Sequence, residues 1–501
     1  MNRLKSIFSD RNLSIAGVII FAVSIILPIW VGFHNYATGD DLLYGSVVHN
    51  LMREHASLWT VFTAIYQDVV TEWHQFQGTW ASGTLWRLEP SIWGERAYYS
   101  TVFISILMLS SGLYYFLTVI IHRLLGMSRA VSIFVISWTV FFSMQYMPFP
   151  RGGLYWYTGM VQYTFAYGVA MFTLGWALMY LHSGKKRYLI GMLISTAYMG
   201  GAGYPEVVIT GLGLFFVCIW GCLSDGASSE RRGRALRLII PMILVAAGFI
   251  LSAAAPGNAI RGGEDYGFSL GRVAEVFTGS FTSGVSGYLK YYLTVRPLIL
   301  LPVGVFIVCA GTETDSRVSL RSLIMTAVFG FIIVCMIHAP EIYAGSTVTA
   351  GISGGVYNSY FFISVLWTSV MAAMLGSYLG ERISGHRFYM PVRVLFFSGA
   401  VLFCVIFGRH LIGNMLDYTC YKYISSGEMA DFEAQMQERF RILEESGETV
   451  YLPAINSEQG PLMHMPVMPD PESYTNQVTA MFYDKELVYE TPRTEEYYHR
   501  D

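Results

Sequence analysis

Long apolar runs recur along almost the whole chain, and no other sequence feature limits the possible folds so tightly. They fall at 13–33, 101–121, 130–147, 160–181, 188–202, 207–223, 238–255, 297–311, 320–337, 359–379 and 392–410. A bilayer core about 30 Å thick takes about 20 mostly apolar residues per helix. Segments of that length that are apolar all round, not along one stripe, belong in lipid. Only 13% of residues are charged and 53% are hydrophobic, whereas a soluble chain carries about a quarter charged residues. The fold expected is an all-α polytopic membrane protein of about 11 transmembrane helices. The first run follows Arg3, Lys5 and Arg11 and is too long for a signal-peptide core, so it is read as a retained helix.

Lysine and arginine in short loops set orientation. The basic stretches hold Arg123 and Arg129; Lys185, Lys186 and Arg187; Arg231, Arg232, Arg234 and Arg237; Arg317 and Arg321; and Arg382, Arg387 and Arg393. Eleven helices place all of these in the cytoplasm with the N-terminus, and the C-terminal segment outside. The outer segments are then 34–100, 148–159, 203–206, 256–296, 338–358 and 411–501. They are long and rich in aromatics and glycine, which directs function to the outer face. The expected division is a membrane domain at 1–410 and a small α+β extracytoplasmic module at 411–501.

Within 34–100, Trp59, Trp73, Trp80, Trp86 and Trp93 predict interfacial helices. In the module, Met429, Phe432, Met436, Phe440 and Leu443 predict one amphipathic helix over Gly427 to Gly447. Thr449 to Leu452 reads as a strand ending at Pro453. A net charge of −3 with no basic domain excludes a nucleic-acid partner. No Walker A, dinucleotide or nucleophile-elbow pattern occurs, and no spaced His, Cys and Asp cluster marks a metal site. The five cysteines in apolar runs read as small hydrophobes, and Cys420 has no evident partner.

Asp40 and Asp41 lie just beyond the first helix. An adjacent carboxylate pair suits a general base tuned by its neighbour; the alternative is that Asp40 caps a helix. Arg151, in Pro148-Phe149-Pro150-Arg151-Gly152-Gly153, suits a phosphate clamp or a snorkelling interface arginine. Glu206 follows Gly203-Tyr204-Pro205 between two apolar runs, where an ionisable residue is costly and by default functional. Asn258 and Arg261, in Pro256-Gly257-Asn258-Ala259-Ile260-Arg261, suit phosphate or sugar oxygens, or a Pro-Gly turn with an Asn cap. Asn358 and Tyr360 read mainly as structural interface residues.

Taken together, Asp40-Asp41, Trp80, Gly203 to Glu206, Pro256-Gly257-Asn258 with Arg261, Val450 to Pro453 and Tyr474-Thr475-Asn476 resemble the GT-C class of membrane glycosyltransferases. More narrowly, the chain resembles a bacterial family of membrane proteins grouped with glucosyltransferases that modify cell-surface polysaccharides. It departs from that pattern in the first outer loop. A Trp-x-Gly-Arg pattern is expected there, but Trp80 is followed by Ala81-Ser82-Gly83-Thr84, so either Arg87 supplies the cation or that subsite differs.

The resemblance implies an inverting hexosyltransferase at the outer face of the bacterial cytoplasmic membrane. Its donor would be a polyprenyl-phosphate-linked sugar and its acceptor a polysaccharide or lipid-linked glycan. Asp40 or Asp41 would be the base, and Arg151, Asn258, Arg261, Arg87 and Trp80 would hold the donor. Glu206, Tyr204, Asn358 and Tyr360 would support the acceptor or the fold. The resemblance fixes no cofactor and leaves a divalent cation open; a separate donor-sugar synthase and flippase would supply the substrate. The competing readings are a flippase or transporter of a lipid-linked saccharide, and an O-antigen-type ligase or polymerase.

Overall fold

Each of the eleven apolar runs is helical over most of its length. The computed structural model describes residues 6–225, 228–262, 269–312, 318–344, 354–383 and 389–493. Among these, eight helices are long and apolar enough to cross a membrane: Asp10–Gly32, Glu95–Leu124, Tyr157–Ser183, Tyr204–Leu223, Ser229–Ala253, Leu320–Tyr343, Gly354–Gly380 and Tyr389–Ile406. The runs at 130–147 and 188–202 fold as shorter helices, Arg129–Gln145 and Lys186–Met199. The run at 297–311 forms one arm of a pair bent by 100°, with Leu270–Thr294 as the other arm.

That last helix lies in a segment expected to be an outer loop. Its apolar residues Leu270, Phe277, Phe281, Val285, Leu289 and Leu293 occupy one exposed stripe, while Ser280, Ser283 and Gly284 are buried. A search for all-round hydrophobicity passes over such a helix, because only one face is apolar. Helix Leu58–Gln75 is built the same way, with Leu58, Trp59, Phe62, Tyr66 and Val70 exposed on one side.

Two local devices shape the bundle. Helices Ser100–Leu117 and Ala166–Ser183 cross at Gly112 and Gly168, where an added Cβ on Gly112 would lie 2.8 Å from the Gly168 carbonyl. Small residues at a crossing let backbones approach closely, which is how helices associate without a hydrophobic driving force. The first span breaks at Ile25. Pro28 has no N–H to give the Ser24 carbonyl, and Gln145 Nε2 donates to it instead at 2.8 Å.

The C-terminal module begins with helices Leu416–Ser425 and Glu428–Glu445. Strand Thr449–Pro453 then pairs in parallel with Leu487–Thr491, Val450 opposite Val488, through helix Tyr474–Tyr483. Met429, Phe432, Met436 and Leu443 are buried, as the amphipathic pattern requires. The module is seated on the segment after the first helix. The Phe482 ring stacks on His49 at 4.1 Å, and Asn50 donates to the Met481 carbonyl at 3.0 Å. Glu433 accepts from Tyr36 at 2.5 Å and lies 3.2 Å from His34 Nδ1.

Candidate functional site

The Asp40-Asp41 pair opens helix Asp40–Arg53, whose cap is Gly39. Gly39 has φ of +54°, a conformation that favours glycine, and it packs directly against the Met465 side chain. Thr38 Oγ1 accepts from Met465 N at 2.9 Å, tying the module's loop to the turn. No side chain caps this helix, so the capping role considered for Asp40 is not the one it plays.

The two aspartates have opposite environments. Asp41 is fully buried and accepts three hydrogen bonds: from Thr158 N at 2.9 Å, from Thr158 Oγ1 at 2.6 Å, and from the Tyr98 hydroxyl. It thereby fixes the start of the short helix Tyr157–Met160. Burial pushes its carboxyl up to about 6, against the pull of those donors. Asp40 is half-buried and accepts a hydrogen bond from the Tyr474 hydroxyl at 2.5 Å. Its place in the first turn also suits a carboxylate, through the helix dipole.

A third carboxyl, Glu89, stands close by. It is fully buried, packs against Gly45 of the same helix, and accepts from Ser91 N at 2.8 Å and Ser91 Oγ at 2.5 Å. Burial pushes it up to about 8, with Asp41 adding to the effect. The sequence signal for it is weak: Glu89 precedes Pro90 and caps the short helix Pro90–Trp93.

The remaining candidates separate into three groups. Arg87 is 2% exposed and committed to Asp68 at 2.8 Å, Glu72 at 2.5 Å and the Gly83 carbonyl at 2.9 Å, with its guanidinium 4.9 Å from the Tyr44 ring. It clamps the helices of the first loop through Nε and Nη1. Asn358 and Tyr360 are also spent on the fold. The Asn358 amide brackets Phe149, accepting from its N–H at 2.9 Å and donating to its carbonyl at 2.8 Å, and Tyr360 donates to the Gly284 carbonyl at 2.6 Å.

Asn258, Tyr204 and Trp80 join the first loop to the hairpin at residues 200–206. Asn258 Oδ1 accepts from Gly78 N at 3.2 Å and from the Tyr204 hydroxyl at 3.3 Å. The N–H groups of Ala81 and Ser82, at the start of helix Trp80–Trp86, converge on the Gly201 carbonyl at 2.9 and 3.2 Å. Glu206 is buried in this hairpin and accepts from the Ser359 hydroxyl. Its Oε2, with Trp80 Nε1, Gln162 Oε1 and the Tyr167 hydroxyl, has no hydrogen-bond partner among the described residues. Buried polar atoms in that state call for water or a ligand.

Arg151 and Arg261 remain exposed. Arg151 donates to the Gly460 carbonyl through Nε at 3.2 Å and Nη2 at 2.8 Å, and so also holds the module. Arg261 reaches Gln77 at 2.9 Å and lies 4.8 Å above the Phe76 ring. Among the described residues no three His, Cys, Asp or Glu side chains converge as a metal-binding set.

One cleft of about 380 Å³ runs between residues 93–97 and helix Glu428–Glu445, and another of about 480 Å³ lies at the opposite end of the bundle. Neither is lined by Asp40, which the module partly covers.

These features define a multi-pass helical membrane protein with a carboxylate-bearing turn packed against a small α+β module. The chain matches no known protein-family model, and no curated protein matches it.

Proposed function

We propose that this protein is a membrane glycosyltransferase of the GT-C kind. On this reading it moves a sugar from a polyprenyl-phosphate donor to a hydroxyl of a polysaccharide or lipid-linked glycan. The observation that carries the reading is the split within the aspartate pair. Asp41 is buried and used up in anchoring Tyr157–Met160, whereas Asp40 is half-buried and has one donor, Tyr474. A general base has to reach a proton on a substrate, and of the two only Asp40 is open to one.

Asp40 takes the proton from the acceptor hydroxyl. The oxygen attacks the anomeric carbon, the bond to the donor phosphate oxygen breaks, and polyprenyl phosphate leaves with the electron pair. One displacement inverts the anomeric centre. Arg151 and Arg261 are the exposed cations suited to the phosphate charge. The lipid carrier requires the site at a membrane surface, and the exposed stripe from Leu58 to Val70 suits a helix lying in that interface. Eleven spans, with the N-terminus cytoplasmic and the module outside, satisfy the alternation of basic loops.

A second reading, a transporter of a lipid-linked saccharide, draws on Glu206, a buried carboxylate in the first turn of helix Tyr204–Leu223 with one oxygen that has no partner among the described residues. The deciding experiment mixes purified protein with a polyprenyl-phosphate hexose and a glycan acceptor and measures released polyprenyl phosphate. Release that requires both acceptor and Asp40 supports the transferase. Movement of the donor across vesicles without release supports the transporter.

A further inference from the structure

The cleft of about 480 Å³ lies far from Asp40. Helix span Glu95–Leu124 carries Tyr98, the partner of Asp41, at one end and Arg123, which lines the cleft, at the other. At about 1.5 Å per residue the two ends stand some 40 Å apart.

Its charges are not evenly matched. Arg234 pairs with Glu230 and donates to the Leu181 carbonyl at 3.1 Å, so it closes a neighbouring helix end. Asp225 lies 3.6 Å from Arg321. Arg123 and Arg231 then have no carboxylate partner among the described residues. The Arg231 guanidinium lies 4.3 Å above the Trp220 ring, and Trp220 Nε1 is itself held by Ser322 Oγ at 3.3 Å. Arg231 Nε is buried with no acceptor among the described residues. Ser224, 8% exposed and also lining the cleft, has a hydroxyl that is likewise without a partner among the described residues.

A stacked guanidinium is held flat and partly dehydrated, and its fork matches two oxygens of a phosphate. A buried N–H and a buried hydroxyl at one cavity, whose carboxylates Asp225 and Glu230 pair with other arginines, both lack among the described residues the acceptor such a group would provide. Leu124, Leu178, Leu181 and Val318 add apolar wall to the cleft. We propose that this cleft is a phosphate-binding site, held by Arg231, Arg123 and Ser224. The chemistry fits a phospholipid headgroup, with free phosphate as the other source.

The test uses full-length protein stripped of lipid in detergent. Native mass spectrometry would follow binding of phosphatidylglycerol against diacylglycerol, and thermal unfolding would follow inorganic phosphate. Wild type is expected to retain phosphatidylglycerol over diacylglycerol. Arg231→Gln should weaken that binding about tenfold, the effect of losing one charge-assisted hydrogen bond, and Ser224→Ala should weaken it less. Unfolding temperatures without ligand establish that both variants are folded. Stabilisation by inorganic phosphate that Arg231→Gln abolishes would assign the site to soluble phosphate; binding of the lipid alone would assign it to a headgroup. The proposal is overturned if neither probe binds, or if Arg231→Gln binds like wild type. It is equally overturned if Lys185→Gln/Lys186→Gln, on exposed lysines outside the cleft, causes the same loss.

Discussion

The Tyr474 hydroxyl donates to Asp40 at 2.5 Å, joining residues 434 positions apart in the chain. This contact puts the C-terminal module at the candidate base, and it makes the module part of the site instead of an appendage. Tyr474→Phe removes only the hydroxyl. On the proposed reading, Tyr474 is a positioning residue, so transfer should fall about tenfold, the loss of roughly one hydrogen bond to a charged group. In Asp40→Asn the same change should have little further effect. Full additivity of the two substitutions would separate Tyr474 from Asp40 and remove its assigned role.

Asp40 and Asp41 should respond differently to asparagine. Asp40→Asn keeps size but not proton acceptance, so the protein should stay folded while transfer drops by a factor of about 10² to 10⁴. Asp41→Asn sets an amide N–H against Thr158 or Tyr98, both already donors. It should lower stability by about 1–3 kcal/mol, read by thermal unfolding in detergent. Near wild-type transfer by Asp40→Asn would end its assignment as base.

Glu89 predicts a pH dependence of stability. Its folded carboxyl is pushed up to about 8 from an ordinary value near 4.5, so the folded state binds the proton more tightly than the unfolded state does. The stability it contributes is complete below about 4.5 and is lost as pH rises through about 8. Glu89→Gln, which never ionises, should therefore melt higher than wild type at pH above 8 and show a flatter profile between these limits. Unfolding temperatures across that range test this, and parallel profiles for the two proteins would contradict it.

Arg87 should prove structural. Removing it as Arg87→Met leaves Glu72, 9% exposed at its side chain, without its cation, at a cost of about 3–5 kcal/mol. Adding Glu72→Gln should recover part of that loss. An Arg87→Met protein that melts like wild type yet no longer binds donor would return Arg87 to the substrate site.

Topology is tested by reporters. A periplasm-active reporter placed after residue 493 should be active, and one placed between Lys185 and Lys186 should not. The opposite pattern would move the Asp40 turn to the cytoplasm and with it overturn the proposed donor geometry.

Much of the architecture was legible before any coordinates, because length and all-round hydrophobicity are properties of a local segment. All eleven apolar runs are helical, and the helix and strand expected in the module are Glu428–Glu445 and Thr449–Pro453. Helix Leu270–Thr294 leaves no run of all-round hydrophobicity because its apolar residues sit on one stripe, and the short runs at 130–147 and 188–202 leave the number of crossings to more than hydropathy. The position of the aspartate pair was equally plain from the sequence. Which carboxylate is open and which is spent was not: that depends on Thr158, Tyr98 and Tyr474, brought in from 117, 57 and 434 residues away. The same holds for Arg87, whose partners Asp68 and Glu72 lie on a neighbouring helix. A charged residue in a sequence carries its chemistry with it, but burial and hydrogen-bond partners, which decide whether that chemistry is free to act, come only from distant segments packed together in the folded chain.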